Sequence, residues 1–256
     1  CRNDLKQGSQ LKALSVICTM GDESTLQAFF GKIVPTIEFG FTLVTVEHDD
    51  SIPHKRIWLE TPRLLAWYGW NVAFVHPKLH ALPIGLNKGR HLANVLRARQ
   101  SAVPKNGRVL INFNLDREER RSIWELSKEW GTLVDRVPYD ASGKSSAGTV
   151  GAVSGSSYYD LLSNYSYVVC PQGLGIDTHR AWEAMYLGAI PIVRKSSISE
   201  LFEDLPVIQL ERWKDFGLRP LKSRVERLPS SGDKLRLSTW VKEIKASPGK
   251  AMAQKS

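Results

Sequence analysis

Apolar positions along the chain fall into short β-branched runs separated by stretches of helical period, and this alternation predicts the elements. A first strand is expected within 11–20 and a helix over 25–32. The run at 41–46 (FTLVTV) reads as a buried strand ending in the polar stretch EHDDSIP. A helix rich in Trp and Leu is expected at 60–70, short extended pieces at 71–75 and 79–86, and a helix at 91–100. After a Pro-Lys-Asn-Gly linker (101–107), a strand at 108–113, a helix at 116–130 and a strand at 133–137 follow. Residues 141–157 form a Gly/Ser/Ala-rich stretch of low complexity, expected to be a mobile, solvent-exposed loop. A short helix at 158–163 then leads into strand, turn, helix and strand over 166–193. Gly188 is placed to stop the helix. A helix near 198–202, a strand at 207–210 and a loop carrying Trp213 come next. An amphipathic helix at 233–245 sets Leu237, Trp240, Val241 and Ile244 on one face, and 246–256 is expected to be disordered. Strands alternating with helices imply parallel sheets covered by helices on both faces.

Composition changes this picture little. A chain of 256 residues with 42% hydrophobic content can bury a real core in one large domain or two small ones. No apolar run is long enough to span a bilayer. The sequence starts at Cys1 without Met, so an upstream signal or anchor stays open. The three cysteines, Cys1, Cys18 and Cys170, are too few and scattered for a disulfide framework or zinc site, and Cys170 reads as a small buried hydrophobe. The net charge of +9 is uneven: from Glu211 onward there are 12 Lys/Arg against five Asp/Glu, a net of +7. A basic end can meet nucleic acid, phospholipid or acidic polysaccharide, or simply keep the chain soluble.

The chemistry concentrates in Cys170–Val193, CPQGLGIDTHRAWEAMYLGAIPIV. Pro171, Gly173 and Gly175 break the strand, and Asp177 or Thr178 can cap the helix. A glycine-bearing turn feeding a helix start points backbone N–H groups at one spot, which suits phosphate. Arg180 and Glu183 share a helix face and suit a diphosphate and a pair of ribose hydroxyls; an exposed i,i+3 ion pair is the alternative. The turn is neither a P-loop nor a GxGxxG fingerprint. His48, Asp49 and Asp50 follow the 41–46 strand at its carboxyl end, where open sheets place ligands, although aspartates before Pro53 also suit a turn. Trp182, Met185 and Tyr186 read as core or rim contacts, His76 before Pro77 as structural, and His179 as a helix-start residue. Asn164-Tyr165-Ser166 is a glycosylation sequon, expected to be unused because it abuts a buried strand.

Through Pro171, Gly173, Arg180, Glu183, Leu187, Gly188, Ile190, Pro191 and Val193 this segment resembles the donor-binding motif of exostosin-like glycosyltransferases. The stretches TLVTVEHDDSIP and NVAFVHPKLHALPIGL also resemble pieces of related members. The resemblance implies an α/β fold of two Rossmann-like halves in GT-B style with a cleft between them. The halves would be an acceptor-side half at 1–103 and a nucleotide-sugar-binding half at 104–245, with 246–256 a basic disordered tail. It implies that Glu183 holds the ribose and Arg180 the diphosphate, with Gln172, Gly173, Gly175 and Thr178 completing the donor site. The co-substrate would be a nucleotide-sugar, UDP-linked for preference, and the acceptor a glycan or other hydroxyl. Asp49 or Asp50, with His48, would be the general base of an inverting transfer, with His76 and His179 as secondary candidates. No Asp-x-Asp donor motif is present, so no essential metal is expected. A Golgi-type lumen follows only from the resemblance. The rivals are a non-catalytic nucleotide-sugar binder and a polyanion or nucleic-acid binder. Nucleic acid is not expected, because the aromatics do not interleave with the basic residues.

Overall fold

The structure, a computed structural model, describes residues 16–87, 90–101, 104–138, 155–217 and 233–253. The chain is α/β, with two all-parallel sheets, and divides into two compact units. Unit 1 comprises Cys1–Pro83, Leu174–Asp177 and Arg236–Ser256, and unit 2 comprises Ile84–Gly173 and Thr178–Leu235.

Unit 1 holds β1 (Val16–Met20), β2 (Phe41–Val46), β3 (Leu64–Gly69) and β4 (Leu79–Ala81), hydrogen-bonded in that order. Between β1 and β2 lies helix α1 (Glu23–Ala28), which continues into a π-helical turn, Phe29–Ile33. Asp22 caps α1: its carboxylate accepts from the Thr25 N–H at 2.9 Å and the Ser24 hydroxyl at 2.7 Å. These donors favour the charged form and bring its pKa down to about 2. Phe30 stacks on Trp58 with centroids 4.7 Å apart and packs on Trp67, while Phe29 meets Phe41 edge-on. The Trp67 indole N–H donates to Thr45 Oγ1, so this large ring is buried without an orphaned donor.

Unit 2 follows with α2 (Arg90–Gln100), β5 (Val109–Ile111), α3 (Glu118–Leu126), β6 (Val134–Arg136) and α4 (Gly155–Asn164). It closes with β7 (Tyr167–Val169), α5 (His179–Tyr186), β8 (Ile190–Arg194) and β9 (Ile208–Leu210). The sheet order is β6-β5-β7-β8-β9. Val109, Ile111, Phe113, Ile123, Val169 and Ile192 lie at the centre of its core. Gly188 ends α5 at φ +76°, a left-handed conformation that glycine adopts without steric cost. Lys105, in the expected linker, donates to Leu187 O and Ser163 O at the ends of α5 and α4, and burial lowers its pKa. After unit 2 the chain rejoins unit 1 through α6 (Leu237–Ala253), which packs on β3 and β2.

Several expectations are corrected. Residues 60–70 are not a helix: a 3₁₀ turn ends at Glu60 and the rest is largely β3. Five of its six residues are buried, so the strand has no polar face and its apolar run cannot be told from a helix by period. The expected tail at 246–256 is helical as far as Ala253. The boundary drawn at 103/104 differs from the division at 83/84, because α2 groups with unit 2 and α6 with unit 1. Of the Gly/Ser-rich stretch, 155–157 open α4 and the remainder lies outside the described residues, as does 11–15. Cys18 is disulfide-bonded, a single bridge that the sequence reading did not foresee, while Cys170 is free and buried as expected. Asn164 of the sequon is exposed, at the end of α4.

Candidate functional site

In unit 2 the β7 strand ends against a turn that leads to α5, and this turn gathers cationic side chains. Thr178 is extended at the N-cap position, without a side-chain cap. Arg180, in the first turn of α5, donates to the carbonyl of Asn112 just after β5. Its guanidinium also lies 5.4 Å from the Tyr158 ring and 6.0 Å from Phe113. Among the described residues no carboxylate pairs with it, so the i,i+3 ion pair with Glu183 is absent.

A second guanidinium, unforeseen in the sequence, reaches the same turn. Arg120, on α3, donates from Nε to Gln172 O at 3.0 Å and from Nη1 to the Asn114 side chain. An exposed carboxylate, Asp116, sits 3.4 Å away. Burial and then the nearby Arg180 charge depress the Arg120 pKa. Gly173 lets the guanidinium approach closely: a Cβ there would stand 3.0 Å from Arg120 Nη2. The only sequence signal for Arg120 was its place in the Glu-Glu-Arg-Arg run, which resembles any solvated helix face.

One turn along α5, Glu183 is 4% exposed, and its Oε1 accepts from the Tyr159 hydroxyl at 3.2 Å. Burial raises its pKa; Arg180, His179, the Tyr159 hydrogen bond and His91 oppose the rise. His179 Nδ1 lies 2.7 Å from Gly85 O, so the ring donates there and has a structural role.

In unit 1 the predicted base candidates lie together just past β2. Asp49 and Asp50 are exposed, whereas His48 is buried. His48 Nδ1 meets the Asp50 carbonyl at 2.8 Å, which places a proton on Nδ1, and buried Nε2 has no partner. Desolvation lowers the His48 pKa. The ring fits because residue 21 is glycine: a Cβ there would stand 2.0 Å from it. His76 accepts from the Lys78 N–H at 3.1 Å within its own turn, so it is structural.

The residue that organises unit 1's loops was also missed. Asn71 is fully buried at φ +52°, a conformation asparagine tolerates better than most side chains. Its Nδ2 donates to His48 O at 3.3 Å and Asp49 O at 3.1 Å, and its Oδ1 accepts from Asp177 N–H at 2.9 Å. Gly175 is required beside it, because a Cβ would meet the Asn71 amide at 2.4 Å. The backbone N–H of Asp177, in the turn before α5, is therefore already engaged, and Gly175 packs against Asn71. A lone Asn after a strand carries no motif, which is why it passed unnoticed.

No protein-family model and no curated protein matches the chain. Among the described residues, no group of three His, Cys, Asp or Glu side chains is arranged to hold a metal ion, and no helix is long and apolar enough to cross a membrane.

Proposed function

We propose that the protein is a GT-B-type glycosyltransferase that moves a sugar from a nucleotide-sugar, UDP-linked for preference, to a hydroxyl acceptor with inversion. The observation that carries this reading is that Arg120, donating to Gln172 O just after β7, and Arg180, donating to Asn112 O just after β5, lie within electrostatic reach of each other, with buried Glu183 one helical turn on. Neighbouring guanidiniums repel each other, and a bound diphosphate relieves that repulsion with charge-assisted hydrogen bonds. During transfer the same cations take up the charge that builds on the leaving diphosphate. The β7–α5 turn lies at the carboxyl end of a parallel sheet, where such folds bind ligands. His48, Asp49 and Asp50 are the candidates for the base. The disulfide at Cys18 supports an oxidising, lumenal setting.

The test is calorimetry against UDP, GDP, CMP and their sugars. The reading expects one nucleoside diphosphate to bind, with Arg120→Ala and Arg180→Ala each weakening it by about tenfold or more. Absence of binding by every nucleotide overturns it. A second reading, a nucleotide-sugar binder without transfer, is favoured by the exposure of Asp49 and Asp50 and the enclosure of His48 Nε2. Asp49→Ala and Asp50→Ala separate the two: a transferase keeps donor binding and loses turnover in at least one variant.

A further inference from the structure

Behind Glu183, toward α4 and α2, lies a chain of polar groups that the donor-binding role does not use. Tyr159, 2% exposed, is 3.2 Å from Glu183 Oε1, and its hydroxyl lies 3.3 Å from His91 Nδ1. A phenol has one proton to give. When Tyr159 donates it to Glu183, its oxygen can only accept from His91, so Nδ1 must carry a proton. When Glu183 is protonated the order reverses: Glu183 donates to Tyr159, and Tyr159 donates to a bare Nδ1. The network therefore has two proton orders, and only the first leaves Glu183 as an acceptor-only carboxylate.

We propose that His91 and Tyr159 are positioning residues: a proton-ordered relay that fixes Oε1 of Glu183 and keeps its carboxylate available to accept hydrogen bonds from a ligand's vicinal hydroxyls. The assignment to a nucleoside ribose rests on the donor-binding reading; the relay itself does not. No second donor hydrogen-bonds Glu183 among the described residues, so Oε2 is the oxygen left for a ligand. The titratable and charged groups that face Glu183 are Arg180 and His179 on its own helix, Tyr158 and Tyr159 on α4, and His91 on α2. Arg180 favours the ionised form, burial opposes it, and the relay adds a directional donor from Tyr159. Tyr158, whose own ionisation burial suppresses, stays neutral and stacks with the Arg180 guanidinium.

The experiment uses the full chain labelled with 13C at glutamate side-chain carboxyls, with the Glu183 resonance identified by its loss in Glu183→Gln. Tyr159→Phe removes one hydroxyl without changing shape, and His91→Ala removes the donor behind it. Both are expected to move the Glu183 titration midpoint to higher pH, and His91→Asn, whose amide can stand in for Nδ1–H, to restore it. UDP binding by calorimetry across the same pH range should weaken by about tenfold in Tyr159→Phe at the acid end and converge with the parent protein as pH rises. A midpoint unchanged in both Tyr159→Phe and His91→Ala overturns the relay, whatever UDP does. A midpoint that moves in a protein that binds none of the nucleotides tested above sustains the relay and removes the donor reading instead.

Discussion

A β-carbon on Gly21 would overlap the His48 ring, and that close fit buries the imidazole and depresses its pKa. Its folded pKa lies below the ordinary 6.5, so the unfolded chain binds a proton first as pH falls. The stability that depends on neutral His48 is thus complete above about 6.5 and is lost as pH drops toward the folded value. Urea unfolding at a series of pH values should show this acid loss, and His48→Asn should reduce it. Glu183 has the opposite sign. Burial raises its folded pKa, so its ionisation costs stability once pH climbs past the ordinary carboxylate range. Glu183→Gln is therefore expected to raise the urea midpoint at pH 7 while weakening nucleotide binding, the trade found where a site is built on a buried charge.

Among the elements, the loop after β2 is held chiefly by Asn71. Asn71→Ala removes donors from two carbonyls and an acceptor from Asp177 N–H, and it also puts alanine at positive φ. A loss of about 2–3 kcal/mol is expected from denaturant curves, with faster amide exchange at Asp177 as the local signature. What was legible at this scale follows from local signals. The boundaries of β2 could be read from a six-residue run in which five positions are β-branched or aromatic, and α5 from its proline-glycine entry and glycine exit. β3 was misread because burial on both faces erases alternation. Arg120 and Asn71 were missed for another reason: their partners lie 52 and 106 residues away in sequence, at Gln172 and Asp177, where no local pattern reports them.

At the scale of the molecule, the basic C-terminal segment divides into different roles. Part of it is α6, which lays Trp240, 7% exposed, on the unit 1 sheet while Leu237 and Val241 stay exposed. The four-residue face expected from periodicity therefore buries mainly through Trp240, with Ile244 half-buried. Trp240→Ala should cost about 3 kcal/mol in equilibrium unfolding, the usual result of emptying a large aromatic site. An exposed, disordered tail would give no change.

The same helix has a consequence for synthesis. The chain passes between the units at 83/84, 173/174, 177/178 and 235/236, so neither is written as one continuous stretch. On a ribosome, β1 to β4 emerge before unit 2, but the helix that covers β2 and β3 is translated only after all of unit 2. Until then the nascent sheet carries an uncovered apolar patch, and the segment a chaperone would most usefully shield is the strand pair awaiting Trp240.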